Sequence, residues 1–395
     1  MAVDPSKRPK GNRFFMNEAA SQIRLGDPKE YLIQSASRLV RDCPPKLPWT
    51  APFRGEVHRG LFLGPTSIAY FFWILSTKHG DLEIERKLPI DWCKAYLDLG
   101  QDTVPPLLNT GCGITNDFLA SNALKACVYQ SERHATKVLE ALSKPDTDPT
   151  WVEYLKGRAG ALYLLRVIRK WLPGMTEAIN QVIKSLIDEM IPQQPWVWEE
   201  KRYLGTVHGE IGALTQIILS DPSYAPKLQH TLAAFLELQD SDGNWATVDG
   251  FDTKLVQFCH GAPGTVLSLL TIKEHFPALH SQIDAAVALG RELIWEKGLL
   301  KKEPNICHGI LGNALALETR QREQFLCLGT PERIKQGVAA GVFEKDWDSF
   351  CLLWGEAGRA WLWMEVWDGG EGKCVAYSDF IRYVWRGLML ARAHL

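Results

Sequence analysis

Apolar residues along this chain return at the three- and four-residue spacing of a helix, rarely at the two-residue alternation of a strand. Leu214, Ile217 and Ile218 follow one glycine-rich turn in this way, and Val266, Leu269 and Leu270 follow another. That period predicts helices with a buried face. The segments 225–240 (APKLQHTLAAFLELQD) and 278–298 (ALHSQIDAAVALGRELIWEKG) are amphipathic in the same sense. Alternating β-branched runs are scarce, so the expectation is an all-α chain.

The helices come in a repeat. Gly-x-x-Gly turns begin at Gly157, Gly209, Gly261, Gly309 and Gly355, and degenerate versions stand at Gly64 and at Gly111 or Gly113. A step of roughly 50 residues signals a repeat architecture. Seven units over residues 55–390, with two helices each, predict about fourteen helices. The glycines favour a closed α/α toroid of seven inner and seven outer helices, because side-chain-free positions let turns approach closely around a narrow centre. An open solenoid would need polar capping repeats, whereas the last unit carries Trp361 and Trp363. Residues 1–50 read as an extended arm and a first outer helix, packed on a single toroidal domain spanning 51–395.

Composition narrows the class. The chain has 395 residues, 46% of them hydrophobic, enough for a large core, and its net charge of −2 gives no reason to expect nucleic acid. The longest apolar run, IAYFFWIL at 68–75, is too short to span a bilayer, and the N-terminus lacks a signal-peptide core. A cytoplasmic protein is expected, with peripheral membrane contact left open. Nine irregularly spaced cysteines read as buried thiols and a metal site, not as a disulfide framework.

Two turns carry chemistry. QFCHGAPG (257–264) and NICHGILG (305–312) set a Cys-His pair in the same frame one repeat apart. If all turns share one rim, Cys259 and Cys307 meet there with an imidazole. Two thiolates and one imidazole with an open fourth position is the pattern of a catalytic zinc site, and soft sulfur selects Zn²⁺ over Mg²⁺ or Ca²⁺. The spacing leaves His260 and His308 both open as the nitrogen ligand. The neighbouring turn, TVHGEIGA, offers His208 as a general acid or base.

The motifs HGEIGA, CHGAPG, CHGILGNA and GRAG together resemble the LanC-like proteins, eukaryotic relatives of bacterial lanthionine synthetase cyclases. The resemblance implies the α/α toroid with one zinc in its cavity, ligated by Cys259, Cys307 and His308, and a catalytic His208. It implies that glutathione adds to dehydroalanine or dehydrobutyrine residues of proteins or peptides. It also suggests substrate contacts for Lys302, five residues before Cys307, and for Arg13 in the N-terminal arm. Arg158, Glu153 and His260 lie near the same rim as further candidate substrate contacts, and Glu153 matches an acidic residue of the bacterial cyclases that would orient His208.

The sequence departs from the cyclases at Leu255, where they carry arginine, and at His260, where they carry tyrosine. Both departures point away from lanthionine cyclisation, which stays as a lesser alternative. A zinc- and glutathione-binding sensor or scaffold without turnover has the same motif residues. Other α/α toroids fit less well. A glycosidase needs a carboxylate pair, for which Glu210 and Glu356 are the nearest candidates, and a terpene cyclase needs an aspartate cluster, for which only Asp240 and Asp242 offer themselves.

Overall fold

The computed structural model describes residues 13–15, 17, 24–46, 59–100, 110–145, 147–252, 255–344, 349–370 and 373–379. Among them the chain forms fifteen α-helices, short 3₁₀ turns and isolated β-bridges, with no extended strand.

Seven helices form an inner ring: α2 (Pro65–Lys78), α4 (Asp117–Val128), α6 (Arg158–Trp171), α8 (Glu210–Ser220), α10 (Ala262–Ile272), α12 (Ile310–Leu315) and α15 (Glu356–Trp367). Most are apolar on every face, as buried helices must be. In α2, every residue from Pro65 to Leu75 is buried. Consecutive inner helices touch from α2 to α12, and α15 packs back on α2, which closes the ring.

An outer helix covers each inner one: α3 (Pro89–Leu97) on α2, α5 (Glu132–Ser143) on α4, α7 (Thr176–Met190) on α6, α9 (Ala225–Leu236) on α8, α11 (His280–Lys297) on α10 and α13 (Thr319–Leu328) on α12. These helices bury one stripe each. In α7 it is Ile179, Val182, Ile183, Leu186, Ile187 and Met190, the spacing of a helix with one face on a core. The last inner helix, α15, takes its cover from the other end of the chain. Helix α1 (Pro28–Asp42) lies on it, with Tyr31 against Trp363 at 4.9 Å and Arg38 paired to Glu356 at 3.1 Å. The remaining helix, α14 (Pro331–Ala339), packs between α13 and α1.

The architecture is therefore the α/α toroid that the repeat predicts. Two details differ from the sequence reading. Leu270 is 40% exposed, because it lies on the side of α10 away from the ring contacts that bury Leu269. In the degenerate second unit the cap of the inner helix is Asn116, whose side chain accepts from the Leu119 amide, and not a glycine.

The turns interlock through backbone. In each regular unit the second glycine of the turn faces the carbonyl of the residue six positions earlier. A Cβ on Gly264 would lie 1.9 Å from the Phe258 oxygen, and one on Gly312 would lie 1.8 Å from the Ile306 oxygen. Gly160, Gly212 and Gly358 repeat this relation with Tyr154, Thr206 and Leu352. With the chain folded tightly onto the helix start, its amides reach the next unit: Tyr154 N to Val207 O (2.9 Å), Cys259 N to Cys307 O (3.1 Å) and Cys307 N to Leu353 O (2.9 Å).

The bore of the ring is filled by residues 374–379, all buried. Asp379 accepts hydrogen bonds from Tyr70 of α2 (2.6 Å) and Tyr163 of α6 (3.0 Å), and the two hydroxyls are 2.5 Å apart. Helices α2 and α6 are not ring neighbours, since α4 lies between them, so this contact joins non-adjacent inner helices. Tyr377 sets its ring edge against Tyr154 (5.5 Å) and Phe258 (5.4 Å), and its hydroxyl bonds Ser268 of α10 (2.7 Å).

Replacing Gly264 or Gly312 by alanine forces backbone apart at the turn and is expected to cost about 2–3 kcal/mol. Gly174→Ala, whose Cβ would meet only Glu132 Oε1 at 3.8 Å, should change stability by less than about 0.5 kcal/mol. Thermal midpoints of the three variants check this. Equal midpoints would show that the carbonyl–glycine contact is not what holds the turns.

Candidate functional site

The tight turns place equivalent residues of successive units side by side on one rim. Positions 155, 207, 259, 307 and 353 form one column and positions 156, 208, 260, 308 and 354 the next. The first column reads Leu, Val, Cys, Cys, Leu and the second Lys, His, His, His, Trp. Each unit presents its site residues from the turn that caps an inner helix, so the ring's geometry fixes their spacing.

Cys259 and Cys307 are thus neighbours in space, and both are buried. Their thiols share a hydrogen bond that holds the pKa of Cys259 below its ordinary value and pushes that of Cys307 up. Burial opposes the shift at Cys259, while the Gln257 amide (Nε2 to Sγ, 3.0 Å) and the positive charges of Lys302 and His208 support it. Cys259 is the only one of the nine free cysteines whose pKa is lowered. Burial raises the other thiols, with Cys43, Cys112 and Cys351 reaching about 12. This rim therefore singles out one thiol as the more acidic.

His308 lies next to Cys307 under the edge of Trp354 (ring centroids 5.2 Å). Its amide donates to Asn305 Oδ1 (2.9 Å), and its Nε2 faces Asn305 Nδ2 at 3.1 Å. Burial and the Lys302 charge lower its pKa to about 3, so the ring is neutral and Nε2 accepts. The donor chemistry of two sulfurs and a neutral imidazole fits a soft divalent ion. The geometry assembles the two sulfurs and leaves His308 on Asn305. Among the described residues, no three His, Cys, Asp or Glu side chains converge as a metal-holding group.

His208 stands across from the thiols with its side chain 28% exposed, and its Nδ1 bonds the buried Glu153 carboxylate at 2.9 Å. Burial alone would lower the imidazole pKa. The Glu153 hydrogen bond and charge, with the Cys259 charge behind them, outweigh it and raise the pKa above its ordinary value. Glu153 also accepts from the amides of Leu155 (2.8 Å) and Lys156, so the same carboxylate caps its own turn and fixes the ring of the next unit. The equivalent position in His208's own unit is Gly205. A Cβ there would lie 2.4 Å from the Cys259 carbonyl, so this position has no side chain with which to hold His208.

The other residues named from sequence fall around this core. His260 stacks on His208 (6.0 Å, 28°), has a buried Nδ1 without a hydrogen-bond partner, and is lowered to about 4 by burial and by the charges of His208 and Lys302. Lys302 Nζ donates to Gln257 Oε1 (3.2 Å), which links it through that amide to Cys259. Arg13 is exposed, and its carbonyl accepts from the Lys301 amide (2.9 Å), so the N-terminal arm runs beside the segment leading to Lys302. Arg158 is buried and engaged elsewhere, by Glu189 (3.0 Å) and the carbonyls of Asp148 and Pro149. Gln257 and Asn305 were not singled out in the sequence. They stand three residues before a rim histidine, the place Glu153 holds before Lys156, and aligning the repeats on that column finds them.

Of the competing carboxylates, Glu210 is held by both ends of the Arg202 guanidinium (2.8 and 3.2 Å), and Glu356 by Arg359 and Arg38 (both 3.1 Å). They serve as ion-paired acids at helix starts and do not face each other as a hydrolytic pair.

Comparison with known proteins places this geometry. A family model described as lanthionine synthetase C-like protein matches residues 113–324. The chain is 29% identical over 183 residues to glutathione S-transferase LANCL1 of Danio rerio, covering 41% of this chain and 44% of that protein. It is 26% identical over 256 residues to the LanC-like protein GCL1 of Arabidopsis thaliana, covering 57% of each. The chain thus matches about half the length of these curated relatives. Among solved structures, nisin cyclase superposes with a TM-score of 0.56 at 13% identity, over 88% of this chain and 94% of that one, a likeness of fold.

Glu153→Gln should lower the apparent pKa of His208, read by NMR titration of its ring. Because the folded-state pKa lies above the unfolded one, protonated His208 contributes stability fully present below the unfolded value of about 6.5. That stability is lost as pH rises through the folded value. The variant should flatten this pH dependence. An unchanged His208 titration would show that Glu153 only caps its turn.

Proposed function

The chain belongs to the lanthionine synthetase C-like family, and from that premise we propose that it adds the thiol of glutathione to dehydroalanine or dehydrobutyrine residues in proteins or peptides. The observation that carries this reading is the convergence of Cys259 and Cys307 from successive turns beside His208, which Glu153 holds. A zinc ion bound by Cys259, Cys307 and His308 would supply the acidity that turns a substrate thiol into a thiolate at neutral pH.

The chain's own residues do the rest. Gln257 orients Cys259, Asn305 faces the Nε2 of the neutral His308, and the buried ring of Tyr377 packs against Tyr154 and Phe258, the latter next to Cys259. The sulfur of the glutathione thiolate bonds to the β-carbon of the acceptor, and the π electrons of its C=C bond move toward the neighbouring carbonyl as an enolate. His208, whose protonated form Glu153 favours, delivers its proton to the α-carbon and leaves a thioether, and the proton released by the thiol to solvent restores the imidazolium. In this reading Lys302 and Arg13 take the carboxylates of glutathione. The side chain of Arg158 is already committed to Glu189 and takes no part in this reading. Among the described residues, no helix is long and apolar enough to cross a membrane. We place the reaction in the cytoplasm, where glutathione is abundant.

Purified wild-type protein should carry one zinc per chain and add glutathione to a dehydroalanine peptide. Cys307→Ala should lose both properties. His208→Ala should keep its zinc and lose about a hundred- to ten-thousand-fold in addition rate, the usual contribution of a positioned acid. A zinc-loaded wild type that binds glutathione and never forms the thioether would contradict the enzymatic reading and leave a binding protein.

A further inference from the structure

The inner helices start at the rim that carries the thiols and end at the opposite face of the toroid. That far face holds a cavity of about 260 Å³ that the proposed chemistry does not use. Its walls are Arg166, Arg169 and Lys170 of α6, Ile218 and Leu219 at the end of α8, and His275 just beyond α10. Three cations and an imidazole thus share one small space.

The positive charge of the two guanidinium groups is poorly balanced. Arg166 is only 8% exposed. It donates to the Gln216 amide oxygen and, at 3.4 Å, to the Tyr377 carbonyl, while its Nε has no hydrogen-bond partner. Arg169 donates to the Asn180 amide oxygen at 2.8 Å. Among the described residues, neither guanidinium reaches a carboxylate at ion-pair distance. Asp379 acts on Arg166 only through space, with its oxygens taken by Tyr70, Tyr163 and the Ala376 amide. Asp221 acts likewise on Arg169, with its Oδ1 bonded to the Ser223 amide. Burial pushes the pKa of Arg166 and Arg169 down, the direction expected where positive charge is desolvated without full compensation.

The C-terminal end of a helix favours cations, and this accounts for Arg169 and Lys170 in the last turn of α6. It does not account for Arg166, which lies more than a turn earlier, nearly fully buried and with an orphan donor. We propose that this cavity binds a phosphate-class dianion, with the Arg166 and Arg169 guanidinium groups as directional donors and Lys170 as a point charge. Guanidinium forks match phosphate oxygens in geometry and form the stronger, charge-assisted hydrogen bonds. The volume lies below the roughly 300–1,000 Å³ of sites for drug-sized ligands, which suits a phosphate group with few further atoms.

Calorimetric titration of the full chain with inorganic phosphate at constant ionic strength tests the site. Saturable binding is expected in the wild type, weaker by about tenfold or more in Arg169→Gln, the loss of one charge-assisted hydrogen bond. Lys227→Gln, a lysine of α9 outside the cavity, should bind as the wild type does. Parallel titration with O-phosphoserine identifies the source: tighter binding than phosphate points to a phosphate ester, equal or weaker binding to the free ion. No saturable binding, or equal affinity in wild type and Arg169→Gln, would overturn the proposal and leave these cations as helix-end and packing residues.

Discussion

The approach of a backbone carbonyl to a glycine, six residues on, is the contact from which the rest of this structure follows. No side chain fits between the Phe258 oxygen and Gly264, or between the Ile306 oxygen and Gly312. The turn is therefore pressed against the start of its inner helix, and its outer edge is free to hydrogen-bond to the next turn. Repeated around the ring, this brings residues far apart in sequence into columns one turn apart in space. The thiols of Cys259 and Cys307 meet because their backbones are already bonded, N to O, at 3.1 Å. Little of the site's geometry depends on the thiols themselves.

The same constraint divides labour among residues that occupy equivalent places. Asn305 and Glu153 both accept amides of their own turns, yet Asn305 faces a histidine of its own unit that burial keeps neutral, while Glu153 favours the charged form of the histidine of the next. The difference comes from formal charge and from Gly205, which offers His208 no side chain at the equivalent place in its own turn. Below the rim, Asp379 between Tyr70 and Tyr163 ties together two inner helices that are not ring neighbours. Among the buried residues 374–379, Tyr377 packs against Tyr154 and Phe258, the latter next to Cys259.

Much of this was legible in the sequence because it is local and periodic. The helical spacing, the recurrent glycine turns and the twin Cys-His pairs each lie within a dozen residues, and closure follows from counting them. What could not be read depends on contacts between distant segments without a period of their own. Nothing in α1 marks it as the cover of α15 rather than of its sequence neighbour α2, and CVAYSD at 374–379 has no pattern of an element that fills a bore. Leu270 was expected inside on helical spacing and lies outside, since spacing gives a stripe but not the stripe's edge. Arg158 stands near the rim in sequence, but its guanidinium is turned to Glu189.

The central claim is that sulfur atoms from two different repeats share one centre on the rim. X-ray absorption at the zinc edge of the purified, metal-loaded protein tests it most directly. The account predicts a first shell of two sulfur atoms at about 2.3 Å with lighter atoms at about 2.0–2.1 Å. A shell without sulfur, or a protein that retains no zinc when purified without chelators, would contradict it.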